Sequence, residues 1–509
     1  MQLEREIKFH LPPEAQRSLS RVVRAASSWR HRELSSVYYD TREGQLRRAG
    51  IALRTRRDGV RWLQTLKADG GVGGGFSTRA EWEIPAPRGR LDVAAFPRKE
   101  ILAATGIDIV KLAPRLRPVF ETRFERRAAM IRIGGATRAE IAVDRGYVDA
   151  GPRREPIEEL ELELKAGDSA AMLRYAADLA APLNLTLAYE SKAERGYRLV
   201  AGKGAAPPRK WRSPALSAFS GPAEAFAVIF NAALAQAGEN ARGVTQGRDP
   251  EYLHQMRVGL RRLRSALLAF RDLVPRETTK PLLRPLRQLV PPLGAARDWD
   301  VFCDRIERVV RQTPSSASVM GQLLVRARTR RATARRHARD AAASRRLQAF
   351  LIEALVWLHR APWTTRAARI ESDFSRFAAK SLQHLRRKAL KQSEGIDWRD
   401  AAQRHRLRIR MKRLRYACDF FAGGFAEGAA RRYVKRLAAL QDILGDLNDI
   451  AVERRLLAKL APRGAAASFL DAAAYVRRSL VARERRLIAA LAPAWRAFEK
   501  QEAFWEPRG

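Results

Sequence analysis

Acidic and basic side chains alternate near the start of the chain. Glu4, Glu6 and Lys8 occupy every second position of MQLEREIKF, and side chains two apart on a β-strand project from the same face. The segment EELELELK repeats this pattern and places on one face Glu159, Glu161, Glu163 and Lys165. Carboxylates stacked in this way repel one another. We therefore expect a cation to lie between them.

Other alternating segments also carry charge on one strand face. These candidates are Arg54, Arg56, Lys67, Arg123 and Asp144. Strands with one apolar and one charged face can form a closed barrel with a polar lumen. Clustered carboxylates offer the oxygen ligands that Mg²⁺ and Mn²⁺ prefer, and arginine and lysine bind phosphate oxygens. The pattern predicts a tunnel that binds a linear triphosphate and a divalent metal.

The elements that position these residues change in type along the chain. Residues 1–202 read as short strands with helices near 14–26 and 168–181, which predicts an antiparallel α+β domain. A linker rich in proline, glycine and basic residues covers 203–214. Long helical patterns rich in arginine and alanine fill 215–509, which predicts an all-α domain.

Charge is concentrated in the second part. The 509 residues carry a formal charge of +42, of which residues 1–200 contribute +9 and the remainder +33. Such an excess indicates a polyanionic partner. The two cysteines form no disulfide framework, and the chain contains neither a bilayer-spanning stretch nor a signal-peptide pattern. We therefore expect no membrane partner and a cytoplasmic protein, either free or associated with polyphosphate granules.

Further short motifs accompany the charged strands. YYDT, ALRTRR, TLK, ELELELK and SKAERGY follow the opening E-x-E-x-K in that order, and together they resemble the CYTH domain of the triphosphate tunnel metalloenzymes. The resemblance covers roughly residues 1–200 and implies an eight-stranded antiparallel β tunnel. It implies metal ligands at Glu4, Glu6, Asp144, Glu159, Glu161 and Glu163. It implies phosphate-binding catalytic residues at Lys8, Arg54, Arg56, Lys67, Arg123, Lys165 and Lys192.

The second part contains an internal repeat. HQMRVGLRRLR from His254 aligns with HRLRIRMKRLR from His405, and LGAARDWD from Leu293 aligns with LGDLNDIA from Leu444 at the same offset. Helical spacing places the basic residues of each copy in one stripe and the apolar residues in another. Cys418 falls on the apolar stripe and is expected in the core. Two basic stripes brought together would bind an anion.

These repeated segments resemble the CHAD domain, a conserved-histidine α-helical domain. The resemblance implies two pseudo-twofold-related four-helix bundles that bind inorganic polyphosphate. It implies phosphate contacts at His254, Arg257, Arg261, Arg264, His405, Arg408, Lys412 and Arg415. The second copy departs from the first at Asn448, which replaces Arg297, and at Ala451, which replaces Asp300.

These observations favour one function and leave two alternatives open. We expect an inorganic triphosphatase that uses Mg²⁺ or Mn²⁺ to hydrolyse tripolyphosphate to pyrophosphate and phosphate, joined to a module that binds long-chain polyphosphate. The first alternative is a triphosphatase or cyclase for an organic triphosphate such as thiamine triphosphate or ATP. The second is a non-catalytic polyphosphate or RNA binding protein. The basic stripes lack aromatic residues for base stacking, so we expect no specific nucleic acid.

Overall fold

The chain forms two compact units. The computed structural model describes residues 2–23, 29–69, 74–214, 221–312, 317–367, 373–461 and 467–506. The first unit comprises Met1–Pro208 and Arg345–Arg360, and the second comprises Arg209–Ser344 and Ala361–Gly509. The domain boundaries drawn from sequence stay a prediction, because the expected start at 215 lies outside the described residues. One helix of the second half, Arg345–Arg360, belongs to the first unit.

The first unit is built on nine strands. They are β1 Gln2–His10, β2 Arg30–Asp40, β3 Ile51–Asp58, β4 Arg61–Asp69, β5 Phe76–Pro85, β6 Arg117–Ile133, β7 Thr137–Ala150, β8 Arg153–Ala166 and β9 Thr186–Leu187. The sheet order is β5-β4-β3-β2-β6-β7-β8-β1-β9, and β5 also pairs with β1. This last pairing closes eight antiparallel strands into a barrel, which confirms the predicted fold class.

Alternation along each strand separates the lumen from the outer core. Ile7 and Phe9 of β1 and Leu160 and Leu162 of β8 are fully buried on the outer face. The intervening charged residues face inward. The described residues of this part of the chain form six α-helices: α1 Pro13–Val22, α2 Gln45–Arg48, α3 Arg98–Thr105, α4 Ile109–Leu112, α5 Ser169–Ala180 and α6 Lys192–Val200.

A seventh helix, α11 Arg345–Arg360, completes the first unit. It packs on α5, and the Arg174 guanidinium donates to the Glu353 carboxylate with Nη2 2.9 Å from Oε2. The backbone amide of Leu187 donates to the Gln348 side chain at 3.2 Å. Eight apolar residues of α11 are buried. The helix is therefore part of the hydrophobic core of the first unit.

All the regular secondary structure that is described in the second unit is helical, as predicted. Its helices are α7 Pro222–Gln246, α8 Pro250–Ala269, α9 Arg276–Gln312, α10 Ala317–Ala343, α12 Thr364–Ala367, α13 Phe374–Ser393, α14 Ala401–Phe421, α15 Glu427–Leu460 and α16 Ala467–Glu499. The repeated segments that begin at His254 and His405 lie on α8 and α14, and their apolar stripes are buried. The repeated segments that begin at Leu293 and Leu444 lie on α9 and α15. Cys418 is a fully buried free cysteine. No described helix is long and apolar enough to cross a membrane.

Glycine sets the spacing between two helices of the first repeat. A Cβ atom at Gly259 of α8 would lie 2.6 Å from the backbone nitrogen of Ala237 on α7. Real Cβ atoms do not approach backbone so closely, so this position requires glycine. The close approach fixes α8 against α7 and thereby holds the basic stripe of α8 in place.

Candidate functional sites

The barrel encloses a charged cavity of about 1000 Å³. Its wall contains ten residues that the sequence predicted for a site: Glu4, Glu6, Lys8, Arg54, Arg56, Lys67, Glu161, Glu163, Lys165 and Lys192. The strand register explains why they meet, since Glu6 pairs with Glu163 and Lys8 pairs with Glu161 across β1 and β8. Cross-strand partners face the same side of a sheet. The lumen thus carries carboxylates and cations in close alternation.

One acidic cluster lies deepest in the wall. Asp144, Glu159 and Glu161 are buried, and one carboxylate oxygen from each lies within 4.8 Å of the others, so the three could hold a metal ion. The Lys192 ammonium already contacts each of them, at 2.7, 2.7 and 2.8 Å. Arg126 adds a bidentate pair to Asp144, with both distances 2.7 Å. This cluster is therefore compensated by side chains of the protein itself.

The cations around Glu161 control its protonation. Burial alone would raise its pKa, but Lys192, Lys8 and Arg126 lower the pKa of Glu161 well below its ordinary value. The ammonium of Lys8 lies 3.2 Å from Glu161 and 3.0 Å from Glu6. Its own pKa is raised by these carboxylates despite burial. At neutral pH the lumen therefore holds ionised carboxylates and ionised amines together.

A second acidic group, Glu4 with Glu163, is less well compensated. The Oε2 atom of Glu4 is buried and has no hydrogen-bond partner among the described residues, although Oε1 receives a hydrogen bond of 2.5 Å from Lys67. Burial raises the pKa of Glu163, and the nearby Glu4 raises it further, although Lys165 opposes the change. A buried carboxylate oxygen without a partner costs free energy. Oxygen donors in this state fit a hard divalent cation.

Another part of the lumen is rich in cations. Arg54 is buried and donates to the Tyr38 hydroxyl at 3.2 Å, and Arg56 Nε lies 3.4 Å from the Ser36 hydroxyl. Burial lowers the pKa of Arg56 to about 10, with further lowering by Arg54 and Arg126. Two guanidinium groups held together by neutral partners retain their capacity to bind phosphate oxygens.

One predicted lining residue lies elsewhere. The Arg123 side chain is 59% exposed and pairs with Glu121 at 2.9 Å on the outside of β6. Arg126, three residues later, is only 12% exposed and reaches Asp144 and Glu161. Three residues on a strand reverse the face, so this placement corrects the assignment of Arg123. Arg126 was missed because arginines lie on both faces of β6 and the sequence alone does not fix which face is inside.

The wall formed by β5 adds charged residues that the sequence placed on one strand face without assigning them to the site. Arg79, Glu81 and Glu83 line the cavity, and Arg79 lies 3.7 Å from Glu6 while Lys67 lies 3.2 Å from Glu81. Their alternate spacing was visible in TRAEWEIP. The pairing of β5 with β1, which brings them to the opening strand, was not.

In the helical unit, the two repeats contribute to one cluster of basic residues, which we call the central cluster. It consists of Arg257 and Arg261 of α8 with Arg408 and Lys412 of α14. Burial together with Arg408 and Arg261 lowers the pKa of Lys412 to about 7. Burial together with Arg261, Arg297 and Arg408 lowers the pKa of Arg257 to about 10. These mutual effects place the four cations close together.

Few carboxylates balance the central cluster. Asp298 and Asp449 act on its arginines and partly offset the lowering of their pKa values. Arg261 Nε donates to the Tyr416 hydroxyl at 2.6 Å. The cluster therefore presents concentrated positive charge with partial compensation. Tyr416 and the two aspartates were not predicted. Helical spacing shows which residues share a face of one helix, but it does not show which residues of other helices pack against that face.

The two repeated histidines have different neighbours. Burial, followed by Arg297, lowers the pKa of His254. His405 lies in a hydrogen-bonding pair with Asn448, at 2.9 Å between Nδ1 and Oδ1. Arg297 and Asn448 occupy equivalent positions of the repeat. The same place beside the histidine is thus cationic in one copy and neutral in the other.

The remaining predicted residues of the basic stripes contact other groups. Arg264 is exposed and acts on Arg413, whereas Arg415 acts on Arg262. Arg262 itself stacks over Trp211, with its guanidinium carbon 4.6 Å from the ring centroid. The structure therefore brings together four of the eight predicted contacts in the central cluster, whereas Arg264 and Arg415 act on Arg413 and Arg262 instead.

Comparisons with known proteins agree with both halves of this description. The CYTH domain family matches residues 2–197, and the CHAD domain family matches residues 228–458. A crystal structure of the CHAD domain from Ricinus communis is 32% identical, covers 58% of this chain and 98% of its own, and superposes with a TM-score of 0.51. The chain is a CYTH–CHAD protein. The resemblance drawn from its motifs is confirmed.

Two curated relatives extend the comparison. An inorganic triphosphatase of Haemophilus influenzae is 27% identical over 203 residues, which is 38% of this chain and 54% of that protein. This CYTH–CHAD protein thus spans about half the length of that relative. An uncharacterized protein of Mycobacterium tuberculosis is 28% identical over 465 residues, which is 86% of this chain and 84% of that protein.

Proposed function

We propose that the CYTH domain is a metal-dependent inorganic triphosphatase that hydrolyses tripolyphosphate to pyrophosphate and phosphate, and that the CHAD domain binds inorganic polyphosphate. One observation carries the proposal for the tunnel. The lumen contains a buried, unpartnered carboxylate oxygen of Glu4 beside Glu163, and also a separate cationic region around Arg54 and Arg56. A metal-bound phosphate chain needs both kinds of surface.

The donors divide into two sets. Glu4, Glu6 and Glu163 would hold Mg²⁺ or Mn²⁺, while Asp144 and Glu159 would serve mainly to fix Lys192 and Arg126. A bound divalent cation would neutralise phosphate charge and activate a water molecule. Glu161 belongs to both sets because it contacts Lys8, Lys192 and Arg126. The likeness to a relative named as an inorganic triphosphatase supports a triphosphatase activity for the tunnel.

The protein's own side chains would position the substrate and stabilise charge. Arg54, Arg56, Lys8 and Lys67 would bind phosphate oxygens and hold the chain along the lumen. Lys192, fixed by three carboxylates, would present its ammonium at one wall without rotating freely. No covalent intermediate is needed, since hydrolysis of a phosphoanhydride depends chiefly on positioning and electrostatics.

Polyphosphate binding by the CHAD domain is proposed from the central cluster. Burial together with Arg261 lowers the pKa values of Arg257, Arg408 and Lys412, and Arg408 further lowers those of Arg257 and Lys412, so these like charges repel one another in the free protein. A bound polyanion relieves that repulsion. The absence of a metal-ligating carboxylate group among the described residues of this cluster favours direct phosphate contacts over metal bridges.

Phosphate release from tripolyphosphate tests the enzymatic part. The full chain is assayed with Mg²⁺, with Mn²⁺ and with chelator, with ATP and thiamine triphosphate in parallel. We expect metal-dependent release chiefly from tripolyphosphate and a loss of at least a hundredfold in Glu4→Gln/Glu6→Gln. The matched control is Glu121→Gln/Glu125→Gln, which removes two carboxylates from β6.

Three results would each contradict a different part of the proposal: the substrate, the metal-binding residues or the activity itself. Preferred turnover of ATP or thiamine triphosphate would replace the inorganic substrate by an organic one. Turnover that persists in the Glu4→Gln/Glu6→Gln variant would remove these residues from the site. No turnover of any substrate, with polyphosphate still bound, would identify a binding protein.

A further inference from the structure

A second group of cations lies in the helical unit on a different face of α14 from the central cluster. Arg410 and Arg413 of α14, His384 and Lys388 of α13 and Arg271, which follows α8, line one small cavity. We call this group the α13–α14 cluster. It shares no residue with the central cluster. Helical rotation explains the separation, because Arg413 lies about 100° around α14 from Lys412.

The α13–α14 cluster has almost no counter-charge. Its one carboxylate, Asp272, lies 3.6 Å from Arg271. Among the residues that the structure describes, Lys388, Arg410 and Arg413 make neither an ion pair nor a hydrogen bond. Burial lowers the pKa of Lys388, with further lowering by Arg271, Arg410 and Arg413. Cations from three segments therefore converge, and among the described residues Asp272 is the one carboxylate of the cavity that offsets their charge.

An unpartnered histidine nitrogen adds an independent observation. The Nε2 atom of His384 is buried and has no hydrogen-bond partner in the described part of the chain. Buried polar atoms in folded proteins are normally paired. The same side chain lines the cavity together with Ser381. A hydrogen-bonding ligand in the cavity would satisfy this nitrogen while the surrounding cations neutralise the charge of that ligand.

The repeat provides an internal comparison for Arg413. Its equivalent in the first copy is Arg262, which stacks on Trp211, donates to Gln236 Oε1 at 3.2 Å and lies 3.6 Å from Asp419. Arg262 is thus held by three protein groups, although its Nε atom has no hydrogen-bond partner among the described residues. Arg413 retains the charge without the equivalents of those three groups, so its guanidinium is less engaged by the protein than that of Arg262.

We propose that the α13–α14 cluster is a separate binding site for the terminal phosphate group of a short phosphate chain. The cavity is small, at about 30 Å³. Converging arginine and lysine side chains with an imidazole match the oxygens of one phosphate group. Pyrophosphate and the end of a polyphosphate chain both present such a group. The inference stands independently of the activity proposed for the tunnel.

The first test measures whether a ligand protects Lys388 from acetylation. It uses the natural sequence, so its result does not depend on whether a variant folds. The full chain is treated with a limiting acetylating reagent, with and without sodium pyrophosphate and with no added metal, and each lysine is quantified by mass spectrometry. Lys388 and Lys459 are both exposed lysines of the helical unit, so Lys459 serves as the matched control. We expect acetylation of Lys388 to fall at least fivefold and that of Lys459 to change less than twofold. Equal protection of both, or protection of neither, would overturn the proposal.

Variants then locate the site and separate it from the central cluster. Arg413→Gln should abolish the protection of Lys388, whereas Arg408→Gln/Lys412→Gln should leave it intact. Loss of protection in the second variant would assign the bound pyrophosphate to the central cluster and contradict a separate site. The same experiment with long-chain polyphosphate tests whether the terminal phosphate of a polymer also protects Lys388 from acetylation. Protection by pyrophosphate but not by the polymer would restrict the ligand to the short chain.

Discussion

The barrel lumen and the central cluster both gather basic residues, but they balance charge in opposite ways. In the lumen most cations touch a carboxylate, as Lys192 does with Asp144, Glu159 and Glu161, whereas Arg54 and Arg56 contact hydroxyl groups. In the central cluster, burial together with Arg408 and Arg261 lowers the pKa of Lys412 to about 7, and Asp298 and Asp449 offset the lowering in the cluster only in part. The first arrangement suits a metal and its substrate together. The second suits a polyanion alone.

The largest expected change is a loss of stability when a buried ion-pair partner is removed from the lumen. Arg126→Met would leave Asp144 and Glu161 with one partner fewer in a buried setting, at a cost of about 3 kcal/mol or more in the free energy of unfolding. Urea denaturation measures this change. Arg123→Met is the matched control and should cost less than about 1 kcal/mol, because its pair is exposed. Equal losses in the two variants would contradict the assignment of inner and outer faces on β6.

The next effect should appear in the central cluster. Arg408→Gln/Lys412→Gln is expected to weaken polyphosphate binding at least tenfold, equivalent to about 1.4 kcal/mol, and to leave stability unchanged or improved because repulsion is removed. Titration calorimetry and urea denaturation measure the two quantities. The exposed pair Arg330→Gln/Lys459→Gln removes the same charge elsewhere on the helical unit. A comparable loss of affinity in that control would indicate binding to overall charge.

A smaller change in stability and in polyphosphate affinity should accompany a change of pH, because Lys412 titrates near neutrality. The pKa of Lys412 is about 7 in the folded protein and near 10.4 when unfolded, so the unfolded chain binds more protons between these values. Stability should therefore rise as pH increases from about 7 towards 10. Polyphosphate binding should weaken over pH 6 to 8.5, because the free lysine loses its charge. Lys412→Gln should flatten both trends, and unchanged trends in the variant would exclude Lys412 as their source.

The smallest effect should come from the difference between the two repeats. Arg297→Asn makes the first copy resemble the second, and Asn448→Arg does the reverse. We expect the first to weaken and the second to strengthen polyphosphate binding by less than tenfold, since one partly solvated charge changes in each. Calorimetry at one fixed salt concentration compares them. Changes of the same sign would show that the residue beside the histidine does not contribute through its charge.

Sequence alone predicted much of this architecture because alternation is a strong signal. Glu4, Glu6 and Lys8 had an unambiguous inner face, since Ile7 and Phe9 marked the outer one. On β6 the same reasoning failed, because Arg123 and Arg126 lie on opposite faces and register depends on long-range pairing.

In the helical repeats, too, the local pattern was predictable from sequence and the packing between distant segments was not. Spacing placed Arg257 and Arg261 on one stripe and Arg408 and Lys412 on another. The meeting of the two stripes, and the separate grouping of Arg413 with Lys388, depend on how helices distant in sequence pack together.

The inclusion of α11 in the first unit affects the design of truncated fragments of this protein. A recombinant fragment that ends at Pro208 would lack the helix whose apolar side completes the core against α5, and the newly exposed surface would favour aggregation. A fragment that begins after the linker would carry an amphipathic helix without its partner. Assays of an isolated tunnel would then report on a truncated fold, so full-length variants are the more informative reagents.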